Sequence, residues 1–353
     1  MSFITEVIRW YNENKRDLPW RKTTDPYIIW LSEIILQQTR VEQGMPYFHR
    51  FAERFPTVAH FAEAEEDEIL KLWQGLGYYS RGRNMHKTAQ MVMEEHEGYF
   101  PKKYDDLLKL KGIGEYTAAA ISSFSANEAK AVVDGNVFRL LSRYFGIDEP
   151  INSSKAKKIF TDLANDVIDK RHPGLSNQAM MEFGSLQCKP KNPLCNTCPL
   201  RSSCYAYREG IVDRLPVKLR KTQIRNRYFN YLIACKEGKV LFHKRGTNDI
   251  WENLFEFPLI EAPELLDVPG LISSTEFKNL FGENVVVKSS YGPVKHILSH
   301  QKLMVNYIFI EKFSEQFEGK KDWFYADIET LNQFAMPKII FGFLNQFPNL
   351  KNI

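Results

Sequence analysis

The sequence predicts two domains of different class: a mainly α-helical N-terminal domain carrying a metal-binding loop, and an α+β domain behind it. Three observations lead there. The chain has 353 residues, more than one domain usually holds. Apolar residues recur at helical spacing up to about residue 205, whereas strand-like runs prevail after Pro216. Four of the five cysteines fall between Cys188 and Cys204, where the two patterns meet.

In the helical part, Trp30, Glu33, Ile34 and Gln37 share one helical face. Ile69, Leu72, Trp73 and Leu76 form a second apolar stripe. Gly44 with Pro46, Gly75 with Gly77, and Gly98 with Pro101 are expected helix stops. L-K-G-I-G-E-Y-T-A-A-A, from Leu110 to Ala120, reads as a tight hairpin opening a small-residue helix at Thr117. Gly112 and Gly114 bracket one apolar residue, which suits unusual backbone angles and close approach by a ligand. Unpaired amides and the helix dipole would make that start an anion seat. Val132 to Val137 reads as a short buried turn or helix start.

Residues 217–227 are polar and basic, as an exposed connector would be. Strands are expected over Tyr228–Ala234, Val240–Lys244, Val285–Lys288 and Lys302–Ile310, with another run ending at Glu256-Phe257-Pro258. Short helices are expected over Pro263–Ile272 and Glu276–Phe281. There is no internal repeat.

A net charge of +4 is too small to announce a nucleic-acid partner, but the charges are unevenly spread. Between Lys189 and Arg227 ten Lys or Arg residues face only two acids, Glu209 and Asp213, whereas Glu63 to Glu68 holds five acids in six positions. Such a basic patch suits phosphate contact; a solvated surface is the plainer alternative. No apolar run is long enough to span a bilayer, so no membrane partner is expected. The N-terminus lacks a signal-peptide core, and a cytoplasmic protein is expected.

Cys188, Cys195, Cys198 and Cys204 are spaced C-x6-C-x2-C-x5-C among stiffening prolines. In a cytoplasmic protein disulfides are disfavoured, leaving zinc or an iron–sulfur cluster. Cys235 lies in an expected strand and reads as a core thiol.

Two carboxylates stand out. Glu33 is flanked almost wholly by apolar residues and glutamines, which suggests burial and a raised pKa. Asp134, twenty residues after Gly114, opens D-G-N-V, where a helix N-cap is the structural alternative to a chemical role.

Taken together, the hairpin, Asp134, the residues around Glu33 and the cysteine spacing resemble the helix-hairpin-helix superfamily of DNA glycosylases, and most closely the adenine DNA glycosylases of the MutY type. The resemblance runs from L-P-W-R (Leu18 to Arg21) into the C-terminal part. It implies a helix-hairpin-helix glycosylase domain over 1–215 with an iron–sulfur loop at 188–204, a linker at 216–227, and a Nudix-like lesion-recognition domain over 228–353. The implied activity is hydrolysis of the N-glycosidic bond of adenine mispaired with 8-oxoguanine or guanine in double-stranded DNA, by a monomer. The implied cofactor is a [4Fe-4S] cluster held by Cys188, Cys195, Cys198 and Cys204.

By the same resemblance Glu33 is the catalytic acid, Asp134 stabilises the sugar cation, and Asn136 orients a carboxylate. Tyr116 stands where lyase-competent relatives have a lysine, which implies a monofunctional enzyme. Gln38 and Tyr78 match wedge positions, Gly112 and Gly114 the DNA-binding hairpin, and Arg16, Trp20 and Arg21 residues near the adenine pocket.

The C-terminal likeness is looser. Asn253 replaces a glycine in W-E-N-L-F-E-F-P, and Leu298 replaces a phenylalanine in H-I-L-S-H, whose Ser299 and His300 are implied lesion readers. The acidic box of Nudix hydrolases is absent, so nucleotide hydrolysis is not expected. Alternatives are an endonuclease III-like glycosylase, opposed by Tyr116, and a non-catalytic metal-bearing DNA-binding protein, opposed by Glu33 together with Asp134.

Overall fold

The computed structural model describes residues 2–219, 224–314, 320, 322–347 and 350. Residues 220–223 of the expected linker lie outside them. Two compact units form, one from Met1–Ala64 with Asn84–Arg220, the other from Glu65–Arg83 with Lys221–Ile353. Among the described residues no helix is long and apolar enough to cross a membrane.

The first unit is helical. Its Pro26–Leu36 helix starts where the Asp25 carboxylate accepts from the Tyr27 amide, with Pro26 at the first helical position. Nearly all of this helix is buried, so it has no polar side, unlike the single stripe expected around Trp30. Trp30 packs against Tyr27, Phe61 and Phe100 with ring centroids 5.1–5.8 Å apart.

Gly44 and Pro46 are not helix stops; both lie within the Val41–Arg54 helix. A Cβ on Gly44 would meet Leu36 Cδ2 at 2.6 Å, so this glycine serves close packing. Gly77 and Gly98 do adopt positive φ after helices ending at Trp73 and Glu95.

Gly112 has φ 76°, and a Cβ there would lie 2.8 Å from the Asn84 side chain. Gly114 has φ −94° and caps the Glu115–Ala126 helix, so it needs no unusual backbone angle. Its expected conformational demand is therefore absent. What it leaves is open space at the helix start.

The second unit holds β1 (Arg225–Lys236), β2 (Lys239–Lys244), β3 (Phe255–Glu256), β4 (Leu259–Ala262), β5 (Val286–Ile297), β6 (Gln301–Lys312) and β7 (Trp323–Asp327). The sheet runs β3-β2-β1-β6-β5, with β4 also paired to β1 and β7 to β2. β1 and β6 are parallel, with Arg225 opposite Gln301 and Ala234 opposite Ile310; the other pairs are antiparallel.

Both faces of β1 are covered, which is why its sequence is a continuous apolar run. Phe229, Tyr231 and Ile233 join one core with Tyr307 and Phe343, while Leu232 and Ala234 join another with Phe277 and Phe281. Tyr307 stacks on Phe343 of the Lys338–Gln346 helix at 3.9 Å. Cys235 is half-buried against the first core.

The Glu65–Arg83 segment belongs to this unit. Tyr79 donates to Met336 O at 3.2 Å, Lys244 Nζ to Asp67 at 2.6 Å, and Arg83 to Glu252 at 2.8 and 3.1 Å.

Candidate active site

Three helices of the first unit bring the chemistry together around a cavity of about 480 Å³. Glu33 reaches it from the buried Pro26–Leu36 helix, Tyr116 from the first turn of Glu115–Ala126, and Asp134 from the N-cap of Gly135–Phe145. Gln37 Nε2 donates to Thr117 Oγ1 at 3.3 Å, tying the first two elements.

Glu33 is 7% exposed. Burial lifts its pKa to about 7; the Tyr116 hydrogen bond opposes the rise and the Asp134 charge adds to it. Tyr116 donates its hydroxyl to Glu33 Oε2 at 2.7 Å. A carboxyl poised there can give a proton near neutral pH and take one back afterwards.

Asp134 is desolvated as well, but is surrounded by more donors. Its Oδ1 accepts from the Asn136 and Val137 amides at 2.9 and 2.8 Å, and its Oδ2 from Asn136 Nδ2 at 2.7 Å. Burial leaves its pKa raised above the ordinary carboxylate value, and these bonds oppose that rise. Three donors around an acceptor-only group make the environment of an anion. N-cap and chemical group are thus one residue.

Asn136 is itself held: its Oδ1 accepts from Arg139 Nη2 at 2.9 Å, and Arg139 also donates to Gly184 O and Cys188 O at 2.6 and 2.7 Å. A Cβ on Gly184 would lie 2.7 Å from both Asn136 Cβ and Asn136 O, so only glycine lets the Pro173–Leu186 helix come this close.

Arg16, Trp20 and Arg21 line the same cavity, as does Glu182, which the sequence reading missed. Glu182 accepts from Arg16 N, Nε and Nη2 at 2.7–2.9 Å and from Arg21 Nη2 at 2.8 Å. Burial pushes its pKa up, but these bonds prevail and hold it at about 2. The signal was available: like Glu33, Glu182 is a lone carboxylate among apolar residues, in M-M-E-F-G.

Gln38 is exposed at φ 59°, in the turn after the Glu33 helix. The thiols of Cys188, Cys195, Cys198 and Cys204 are all free and line one separate cavity. Arg143, buried there, donates to Cys188 Sγ at 3.5 Å and to Lys189 O at 2.7 Å. Among the described residues no three His, Cys, Asp or Glu side chains are placed to hold a metal ion.

The second unit carries the remaining sequence-identified positions. Tyr78, 49% exposed with φ 49°, hydrogen-bonds through its hydroxyl to Ser299 Oγ. Ser299 and the exposed His300 sit in the β5–β6 turn, closed by Leu298 N donating to Gln301 O at 2.8 Å. Leu298 packs against the sheet core. Asn253 adopts φ 63°, a region asparagine enters more readily than most residues, and donates to Glu66 Oε1 at 2.5 Å.

Comparison with known proteins now bears on this geometry. Residues 31–166 match the HhH-GPD superfamily base excision DNA repair protein family, and residues 230–346 match the NUDIX domain family. The adenine DNA glycosylase of Buchnera aphidicola subsp. Schizaphis graminum is 34% identical over 347 residues, 98% of each chain. This chain belongs to the adenine DNA glycosylase family. The human adenine DNA glycosylase is 40% identical over 214 residues, 58% of this chain and 39% of that one. Among solved structures, a thermostable thymine-DNA glycosylase superposes with TM-score 0.55 at 27% identity, covering 59% of this chain and 95% of that one. An endonuclease III–DNA complex gives 0.51 at 21% identity, covering 59% and 94%, a likeness of fold.

As an adenine DNA glycosylase of base excision repair, the enzyme must break a C1′–N9 bond with a poor leaving group. Glu33, Tyr116, Asp134, Asn136, Arg16, Trp20 and Arg21 meet in one cavity of its first unit. Tyr78, Ser299 and His300 meet in its second.

Proposed function

We propose that this glycosylase is monofunctional and removes adenine from duplex DNA where it stands opposite 8-oxoguanine or guanine. The observation that carries the chemistry is the pairing of unlike carboxyls: Glu33 with its pKa lifted to about 7, and Asp134 surrounded by donors.

The target nucleotide is turned out of the stack into the cavity. Glu33 gives its proton to the adenine ring. The C1′–N9 electron pair leaves with the base, and the sugar becomes cationic. Asp134, oriented by Asn136, stabilises that cation in a site sheltered from water. Water then adds to C1′ and gives a proton to the Glu33 carboxylate, leaving an abasic site. A well-placed general acid contributes about 10²–10⁴-fold. Tyr116 offers Glu33 a hydroxyl and has no amine to attack the sugar, so strand cleavage does not follow.

For DNA engagement we assign the Gly112–Gly114 hairpin, with its open helix start, to backbone phosphates. Gln38 and Tyr78, both exposed in left-handed turns, are assigned to the space left in the stack. Ser299 and His300 are assigned to the base opposite adenine.

For the cysteine loop we assign a [4Fe-4S] cluster, held by Cys188, Cys195, Cys198 and Cys204. The four thiols line one cavity, and the Arg143 guanidinium beside Cys188 suits the thiolate charge that such a cluster needs. When bound, the cluster supplies a clamp that shapes the loop bearing Lys189, Lys191 and Arg201.

Single-turnover assays with Glu33→Gln test the core of the proposal. Retained binding of mispaired duplex with loss of adenine release supports it, and near-normal release removes Glu33 from the mechanism.

A further inference from the structure

The β5–β6 turn lies on an ion network that the adenine-excision chemistry does not use. Arg227, on β1, is only 4% exposed. Its guanidinium donates to Glu261 Oε1 and Oε2 at 2.7 and 2.6 Å and to Asp249 Oδ1 and Oδ2 at 2.7 Å each. Asp249 is shared with Arg245, whose Nη2 donates at 2.6 Å. The fifth N–H of Arg227 donates to Gln301 Oε1 at 3.1 Å.

That last bond fixes a polarity. A guanidinium can only donate, so the Gln301 side chain must turn its oxygen toward Arg227. Its NH₂ group, two donors, is thereby turned away from the network. Among the described residues no acceptor pairs with it. Gln301 lines a cavity of about 450 Å³ whose wall includes Tyr78, Trp251, Ser299 and His300, all within the second unit. The backbone around it is pinned as well, by Leu298 N donating to Gln301 O and Arg225 N donating to His300 O at 3.2 Å. The turn therefore presents an amide donor whose direction is set by a buried cation, next to the Tyr78–Ser299 pair.

We infer that Gln301 is a specificity-determining residue, donating to the C8 oxygen of the lesion base, with Arg227 and Asp249 as the positioning residues that hold its amide in donor polarity. This rests on the reading of the second unit as the 8-oxoguanine reader. 8-Oxoguanine differs from guanine in carrying an acceptor oxygen on C8, and a preset donor distinguishes the two directly. An acceptor left unpaired at a desolvated contact is disfavoured by about tenfold or more, enough for one residue to set a preference.

The test uses full-length wild type, Gln301→Glu and Gln301→Met on duplexes with adenine opposite 8-oxoguanine, guanine or 8-bromoguanine. 8-Bromoguanine matches the bulk at C8 without the carbonyl acceptor. Gln301→Glu keeps the length and the bond to Arg227 but offers an acceptor; Gln301→Met keeps bulk and removes both polar groups. The expected result is a fall of about tenfold in excision efficiency opposite 8-oxoguanine, with the other two substrates unchanged, for both variants. Unchanged efficiency opposite 8-oxoguanine overturns the inference while leaving the lesion-reading domain in place. An equal fall on all three substrates, as a distorted turn would give, also overturns it. A wild type that does not distinguish 8-oxoguanine from guanine refutes the underlying reading itself.

Discussion

Tyr116→Phe probes the acid most finely, because it deletes one hydroxyl and leaves the ring that walls the cavity. In the folded enzyme Tyr116 donates to Glu33 at 2.7 Å, a bond that favours the ionised carboxylate and so opposes the effect of burial. Hydrogen bonds to charged groups contribute about 1.5–3 kcal/mol. At 1.36 kcal/mol per pKa unit, losing this one should raise the Glu33 pKa by about 1–2 units. The starting value is about 7, so the alkaline limb of the excision profile should move to about pH 8–9. The sign is definite: the protonated acid is the active form, and it persists to higher pH in the variant. Near pH 7 the change in rate should be less than about twofold, because roughly half of the wild-type acid is already protonated. Two units above that, the variant should be faster by about 10- to 50-fold. The assay is single-turnover adenine release from pH 5.5 to 9.5, with saturating enzyme so that DNA affinity drops out. A limb that stays in place, or moves toward acid, refutes the assignment of Glu33 as proton donor under the influence of Tyr116.

Other substitutions separate proton transfer from docking and packing. Glu33→Gln should reduce adenine release at least about 10²-fold while binding of the mispaired duplex, followed by gel shift or anisotropy, stays within about threefold. Gly184→Ala places a Cβ 2.7 Å from Asn136, so excision should fall about tenfold with little change in DNA affinity; an unchanged rate would show that the Asn136–Asp134 arrangement tolerates displacement. Ser299→Ala with His300→Ala should shrink the preference for 8-oxoguanine over guanine by about 1–3 kcal/mol, measured as a ratio of excision efficiencies, and leave the guanine substrate nearly unaffected.

Much of the candidate cavity could be read from residue types. A carboxylate set among apolar neighbours on a helix has few explanations besides burial with a purpose, and Glu33 was visible for that reason. Glu182 carried the same signal, yet its partners Arg16 and Arg21 lie about 160 residues away in sequence, and no local pattern joins them. Gly184 was equally silent, since a glycine inside a helix announces neither which backbone approaches it nor how closely.

Gly44 and Pro46 misled because punctuation residues are ambiguous: packing against Leu36 outweighs the local tendency of Gly44 to end a helix. In the second unit, β1 and β6 were legible as apolar runs. β5 was recognised only at its beginning, because most of its length is exposed and correspondingly polar. The Lys338–Gln346 helix is too short and too uniformly apolar to reveal its period. That Glu65–Arg83 shares a compact unit with the C-terminal sheet depends on hydrogen bonds between distant residues, such as Asn253 to Glu66, and a helical stripe does not name its partner.

The central claim is that this enzyme releases adenine by acid-assisted hydrolysis and stops at the abasic site. The most direct measurement is a single-turnover reaction on duplex DNA with adenine opposite 8-oxoguanine, in which free adenine and strand breaks are quantified separately, with and without an alkaline quench. A parallel sample is treated with borohydride. The account predicts free adenine, strands that remain intact until alkali is added, and no covalent enzyme–DNA adduct. Strand cleavage without alkali together with a borohydride-trapped lysine adduct, or intact adenine in the duplex after full engagement, would contradict it.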